Sequence, residues 1–321
     1  MHYVVKRLIA AIPLIIGITF LSFMIMKMAP GDPVSNYMDP QMGKEDMAQI
    51  RENLGFDDPL LLQYGKWLKE VCKGNLGFSF VSGQNVMSAI LQRLPATLIL
   101  SMSSLVLILM ITLPLGLLSG YKKGSVFDDS VTVFTFVGLS IPAFWLGLIF
   151  ILGFSLKLDL FPTSGFLDPE LMGSSMISQV LNIAHHLFLP LLTILVGGIA
   201  SLTRYHRFGI ISILSQDYIT CARARGLSET RILYKHAFKN AALPIITILG
   251  LSLPDLIGGS FIIEYIFSWP GMGQLGVNAI FARDYPIIMG TLLFTSVLII
   301  LGNLCADIAY AMVDPRIRKP S

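Results

Sequence analysis

Two aspartates, Asp255 and Asp307, fall inside long apolar stretches of the chain. An acid near the middle of a bilayer costs roughly 2.5–3.5 kcal/mol on insertion scales, so each is a candidate functional residue. Two carboxylates sharing a proton would suit acid–base hydrolysis, the chemistry of an intramembrane aspartyl hydrolase. Their placement argues against a shared proton: Asp307 lies near one end of its stretch, Asp255 in the opposite half of its own, and neither has a Gly-x-Gly-Asp context. Asp307 is expected to pair with a loop arginine, and Asp255 to line a pathway or to pack against a helix.

Other chemistry is less well formed. His185-His186 lacks the His-Glu-x-x-His spacing of a zinc protease and reads as an interfacial pair, with a grip on a metal complex as the alternative. Cys72, Cys221 and Cys305 lie far apart with no Cys-x-x-Cys step, so they are expected to be small buried residues, and no metal site is expected. Gly271-Met272-Gly273-Gln274-Leu275-Gly276 is a literal GxGxxG, but a Trp269-Pro270 turn precedes it where a dinucleotide site needs a strand. It is expected to be a turn. No GxxxxGK[ST] occurs, and Gly43-Lys44 and Gly65-Lys66 lack its remaining residues, so no phosphate cradle of that type is present.

The elements that must position these residues follow from composition. Of 321 residues, 54% are hydrophobic and only 13% charged, with mean hydropathy +0.71. Soluble domains carry about 25% charge, so disordered, disulfide-scaffold and nearly all soluble-enzyme classes are excluded. A net charge of +3 gives no reason to expect a nucleic-acid partner. About 20 apolar residues span a bilayer core, and six stretches qualify: 8–26, 97–119, 131–156, 187–203, 243–263 and 287–310. The expected fold is an all-α polytopic membrane protein of six helices. The first stretch has no small-residue cleavage site after it; Ala29-Pro30-Gly31-Asp32-Pro33 reads as a helix stop, so residues 1–29 form a retained span. Residues 30–96 read as a compact extracytoplasmic cap with helix-like spacing at 46–54 and 60–71, and 97–321 as a five-helix core.

Basic residues set the orientation. Lys6, Arg7, Lys122, Lys123, the run from Arg204 to Lys239 and the tail Arg316, Arg318 and Lys319 fall on one side, whereas 159–186 holds no lysine or arginine and 267–286 only Arg283. Both termini are expected in the cytoplasm.

The inner loop, 204–242, is the most informative segment. Asp217 is placed to cap a short helix and Gly226 to end it in the left-handed conformation. Ser228 starts a second helix with Ile232, Leu233, His236 and Ala237 on one face and Arg231, Lys235 and Lys239 on the other. Such a projection either docks on a partner or lies as a basic loop on anionic lipid; composition leaves both open. Five prolines within the spans (13, 114, 142, 190 and 254) predict kinks, and Gly116 with Gly120 predicts close helix packing.

Asp217-Tyr218, Ala222-Arg223-Ala224-Arg225-Gly226-Leu227, Lys235-His236-Ala237 and Asn240-Ala241-Ala242-Leu243-Pro244 together resemble the cytoplasmic EAA loop of bacterial ABC importer permeases, with Thr220-Cys221 where the general motif has Glu-Ala. Within that group the chain is similar to the dipeptide, oligopeptide and nickel permeases. Gly55-Phe56-Asp57, Gly74-Asn75-Leu76-Gly77, Arg93-Leu94-Pro95-Ala96-Thr97, Pro162-Thr163-Ser164-Gly165, Phe267-Ser268-Trp269-Pro270-Gly271 and Asp314-Pro315-Arg316 continue the likeness in order. The resemblance implies a type I importer permease fold in a bacterial cytoplasmic membrane. It implies a second homologous permease, two ATPase subunits that carry ATP and Mg, and an external solute-binding protein. The implied cargo is di- or oligopeptides, with nickel complexes or glutathione as alternatives. This chain itself would be no enzyme and hold no cofactor. Asp217, Ala222, Arg223, Ala224, Arg225, Gly226 and Leu227 would couple to the ATPase. Glu264, Trp269, Pro270 and Gly271 would lie at an outer gate or touch the binding protein.

Overall fold

The computed structural model describes residues 2–28, 57–241 and 260–313, with side chains described for 9–28, 57–241 and 260–304. The helix stop at 29–33, the helix expected at 46–54, most of the fifth span with Asp255, the side chain of Asp307 and the tail lie outside them. Helix α1 runs His2–Met28, α2 Leu60–Cys72, α3 Val86–Tyr121 and α4 Val126–Ser140. Helix α5 runs Ala143–Phe150 and continues as a π-helical stretch Ile151–Lys157; α6 runs Met176–Leu214 and α7 Asp217–Ala224. A single turn α8, Glu229–Arg231, continues as a π-helical stretch Ile232–Phe238; α9 Phe261–Ile266, α10 Met272–Ala282 and α11 Tyr285–Val313 follow. Among the described residues four helices are long and apolar enough to cross a membrane, and the bent pair α4–α5 makes a fifth span if counted as one.

The kink expected at Pro142 is a full break of the third span. The two arms meet at 97°. Ile141 precedes Pro142, whose ring clashes with a helical neighbour, and Ile141 accordingly adopts extended backbone at φ −90°, ψ 122°. Pro95, Pro114 and Pro190 stay inside continuous helices. Helix α3 starts eleven residues before the expected second span, where the Asn85 side chain accepts the Ser88 N–H, and α6 starts at a Ser175 cap. At 39 residues α6 is about 58 Å long, so 204–214 belong to it and the inner loop begins at Ser215.

Helices α3 and α6 form the centre of the bundle. A Cβ on Gly116 would lie 2.8 Å from the Cβ of His206, and one on Gly120 2.8 Å from the Cβ of Ile210. These two glycines, one turn apart, bring the helix backbones together as their spacing predicts. The expected cap is not wholly clear of the spans. Tyr64 of α2 is buried and its hydroxyl donates to the Ile16 carbonyl (3.1 Å) and bonds Thr19 (2.9 Å), midway along α1's apolar stretch. Helix α2 therefore lies along the flank of α1. Farther on, the Asp284 carboxylate accepts from the Ser79 hydroxyl and the Phe80 N–H (3.1 Å), tying this segment to the start of α11.

Candidate functional site

Two groups of predicted residues sit at opposite ends of α3. Thr97 touches one group and Leu117 packs against the π-helical stretch that follows the other, 20 residues or about 30 Å along the axis. That separation matches the thickness of a bilayer's hydrocarbon core.

At the Leu117 end, Ser215 and Gln216 break the chain out of α6 and α7 turns away. Gln216 rather than Asp217 is the N-cap, and no side chain caps the helix. Asp217 is the first helical residue, where its charge complements the helix dipole. The far end closes as the sequence predicts. Gly226 stands at φ +77°, its N–H donates to the Arg223 carbonyl (2.9 Å), and the Leu227 N–H donates to the Ala222 carbonyl (3.3 Å). This is a Schellman end, and its usual apolar partner contact is present: Leu227 joins Ala222, Ile219 and Ile232 in one cluster with Ile213 and Leu214 of α6.

Burial divides the seven predicted coupling residues. Asp217, Arg223, Ala224, Arg225 and Gly226 are exposed, whereas Ala222 is 9% exposed and Leu227 half-buried. Ala222 and Leu227 therefore pack inward against Ile219, Ile232 and the end of α6, and the other five face outward. Leu233, Ala237 and Ala241 pack on Leu117 and Ile210, seating the second half of the hook on α3 and α6. The predicted apolar face is present, wound as a π-helix. Arg223 donates to both oxygens of Glu229 (2.8 and 3.3 Å), bracing α7 against α8, and the Asn240 amide donates to the Tyr218 hydroxyl (3.2 Å). The Arg223 guanidinium holds the Glu229 carboxyl below its ordinary range, and Glu229 raises Arg223 in return. An exposed, braced, basic knob rigidly seated on two long helices is suited to receive force from a partner.

At the Thr97 end, Glu264 and Trp269 are both 0% exposed. The Glu264 carboxylate accepts from the Thr97 hydroxyl (3.0 Å) and from the Gly273 (2.7 Å) and Gln274 (3.2 Å) N–H groups, capping α10 from a distance. Thr97 Oγ1 accepts the Met272 N–H (2.7 Å), and the Trp269 indole donates to the Ala96 carbonyl (2.8 Å). Gly271 is buried, and a Cβ there would enter the space of Glu264 and Thr97. Pro270 is half-buried. Glu264, Trp269 and Gly271 thus offer no side-chain surface to a binding protein in this structure; they knot α9 and α10 onto α3. The GxGxxG run is the first turn of helix α10 and not the turn expected, with a helix and not a strand before it.

The remaining expectations sort themselves simply. His185 Nε2 lies 2.8 Å from the Leu160 carbonyl, and His186 lies between the Asn182 carbonyl (3.0 Å) and Asp168 (3.5 Å). Among the described residues no group of three His, Cys, Asp or Glu could hold a metal. Cys72 and Cys221 are exposed thiols, contrary to expectation. A cavity of about 480 Å³ between α1, α2 and α11, walled by Phe23, Trp67, Phe80 and Tyr285, involves none of the predicted residues. The reading missed Asp128, the bidentate partner of Arg207 (2.5 and 2.7 Å). An arginine on the long, largely apolar helix α6 was the available signal, since such a charge demands a partner.

The family described as binding-protein-dependent transport system inner membrane component matches residues 112–319, and its N-terminal companion matches 1–101. The oligopeptide transport system permease protein AppB of Bacillus subtilis (strain 168) is 46% identical over 316 residues, covering 98% of each chain. A Sinorhizobium fredii protein named "Probable peptide ABC transporter permease protein y4tP" is 36% identical over 316 residues, covering 98% of this chain and 99% of its own. In fold, the chain is similar to a chain of the inward-facing MetNI methionine ABC transporter, with TM-score 0.55 at 18% identity over 71% of this chain and 97% of that one. The fold is therefore that of a type I importer permease, and the chain belongs to the family of binding-protein-dependent transport system inner membrane components.

Proposed function

We propose that this chain is one permease subunit of an ATP-driven, binding-protein-dependent importer of di- and oligopeptides in a bacterial cytoplasmic membrane. The names of the relatives at 46% and 36% identity support the peptide cargo. The observation that carries the mechanism is the α7 knob: exposed at Asp217, Arg223, Ala224, Arg225 and Gly226, and seated on α3 and α6 through Leu233 and Ile219. In this reading both termini and the knob face the cytoplasm, and the knob docks on one of two ATPase subunits, which hold ATP and Mg. This chain carries no ATPase site and needs no cofactor. A second permease completes the pathway, and an external binding protein delivers cargo near the Glu264 knot, which forms part of the outer gate. Asp255 lines the pathway.

Closure of the ATPase pair displaces the knob, and the helices rock from inward- to outward-open as packed units. Reconstitution of the chain with its partner permease, ATPases and binding protein into vesicles tests the reading. Peptide accumulation that needs ATP and the binding protein supports it. Accumulation only of a nickel complex or of glutathione would replace the cargo, and accumulation without ATP would refute the mechanism.

A further inference from the structure

Asp128 stands in the first turn of α4 and is 1% exposed. Three groups converge on its carboxylate, from α6, α3 and the turn between α3 and α4. The Arg207 guanidinium of α6 donates Nε to Oδ1 (2.5 Å) and Nη2 to Oδ2 (2.7 Å). The Ser119 hydroxyl at the end of α3 donates to Oδ1 (2.5 Å), and the Gly124 N–H of the α3–α4 turn donates to Oδ2 (2.9 Å). Ser125 caps the helix by accepting the Asp128 N–H itself (3.2 Å). A bidentate, fully partnered pair fixes angle as well as distance.

The location of this joint gives it a mechanical meaning. Helix α6 runs unbroken through Arg207 to Leu214, and the knob begins three residues later at Asp217. Helix α4 runs from Asp128 to Ser140 and then turns through 97°. Elsewhere α4 meets α6 at smooth contacts, such as Gly138 against Ala200, that resist separation but not sliding. One turn up α6, the Arg204 guanidinium lies 4.7 Å from the centre of the Phe136 ring, a second contact from the same face of α6 to α4. Among the described residues, the charge-borne links between the helix that bears the knob and the first arm of the bent span are thus this bidentate joint and the Arg204–Phe136 contact about two turns along α4.

We propose that the Asp128–Arg207 pair is the positioning strut that passes displacement of the coupling knob into the bent span, so that it sets how much transport each hydrolysed ATP yields. The pair touches neither nucleotide nor cargo and acts through α4 and α6. The inference rests on the ATP-driven reading given above. Breaking the strut leaves the knob intact, since Ile219, Ala222, Leu233 and Ala237 seat it independently. ATPase docking and hydrolysis then continue while α4 follows α6 less faithfully.

The test compares wild type, Asp128→Asn and Arg207→Lys in the complete reconstituted transporter, measuring peptide taken up per ATP hydrolysed. This ratio does not change when less complex folds. Removal of a coupling residue typically alters coupling by factors of a few to tens. Uptake per ATP is expected to fall on the order of fivefold in Asp128→Asn and less in Arg207→Lys, which keeps the charge but loses the second bond. An unchanged ratio overturns the strut, as does a parallel loss of uptake and hydrolysis at constant ratio, which marks a merely structural pair. Failure of wild type to couple uptake to ATP would instead remove the underlying functional reading.

Discussion

The Leu227 N–H reaches back across Gly226 to the Ala222 carbonyl at 3.3 Å, so the end of α7 closes on itself just where its exposed face is presented. A Cβ on Gly226 would meet nothing within 4 Å, so within this chain the glycine serves its φ of +77°. Gly226→Ala is expected to weaken the local closure by about 1 kcal/mol, whereas Gly226→Asn, which tolerates that conformation, costs less. Amide exchange at Leu227 reads the difference; equal protection in all three proteins would deny the backbone its role.

The glycine seam of α3 predicts a steric response. Gly120→Leu forces a side chain into space held by Ile210 and the Arg207 carbonyl. Overpacking of this kind costs about 1–3 kcal/mol, read as a lower unfolding midpoint in detergent. Gly124→Asn, in the open turn four residues on, is expected to change it little.

The brace within the knob depends on pH. Glu229 is depressed below its unfolded value by Arg223, so its contribution is complete above the unfolded carboxylate pKa and is lost as pH falls through the lower folded value. Both groups are exposed, so salt weakens the effect. Amide protection in 217–231 should drop on acidification, and Glu229→Gln should flatten that dependence. An unaltered pH profile in that variant would mean that the brace does not report there.

At the other end of α3, Glu264 accepts three hydrogen bonds while fully buried. Glu264→Gln keeps a carbonyl for the Gly273 and Gln274 N–H groups but turns its NH2 toward the Thr97 hydroxyl, which then loses the acceptor for its own proton, at a cost of about 1–3 kcal/mol. The expected result is a lower melting temperature; unchanged melting would show that the knot contributes nothing to stability.

The exposed thiols provide a test of sidedness. With one cysteine retained at a time, a membrane-impermeant maleimide should label Cys221 only from the cytoplasmic face and Cys72 only from the opposite one. Labelling of both from one side would contradict the orientation.

What the residues alone revealed was set by the kind of physics involved. Apolar length marked the spans, Gly226 and Ser228 marked the knob's boundaries, and Gly116–Gly120 marked the α3–α6 contact, because each is a local rule. Asp128 with Arg207, 79 positions apart, and Thr97 with Glu264, 167 apart, are tertiary pairings with no local signature. The bend at Pro142 was visible as a kink, but its 97° is decided by packing around it. That Glu264 and Trp269 are fully buried has no local signature either, since residue type does not disclose which way a turn folds back.

The central claim is that the α7 knob is the lever on which a separate ATPase acts. The direct test measures affinity of the ATPase subunits for permease complexes carrying Gly226→Asn or Gly226→Arg, two side chains at one exposed backbone position that differ in bulk and charge. The account predicts near-normal assembly for asparagine and at least roughly tenfold weaker assembly for arginine, the loss expected when one packed contact worth about 1.4 kcal/mol is blocked. Equal affinity of both variants, with equal ATP-driven uptake, would contradict it.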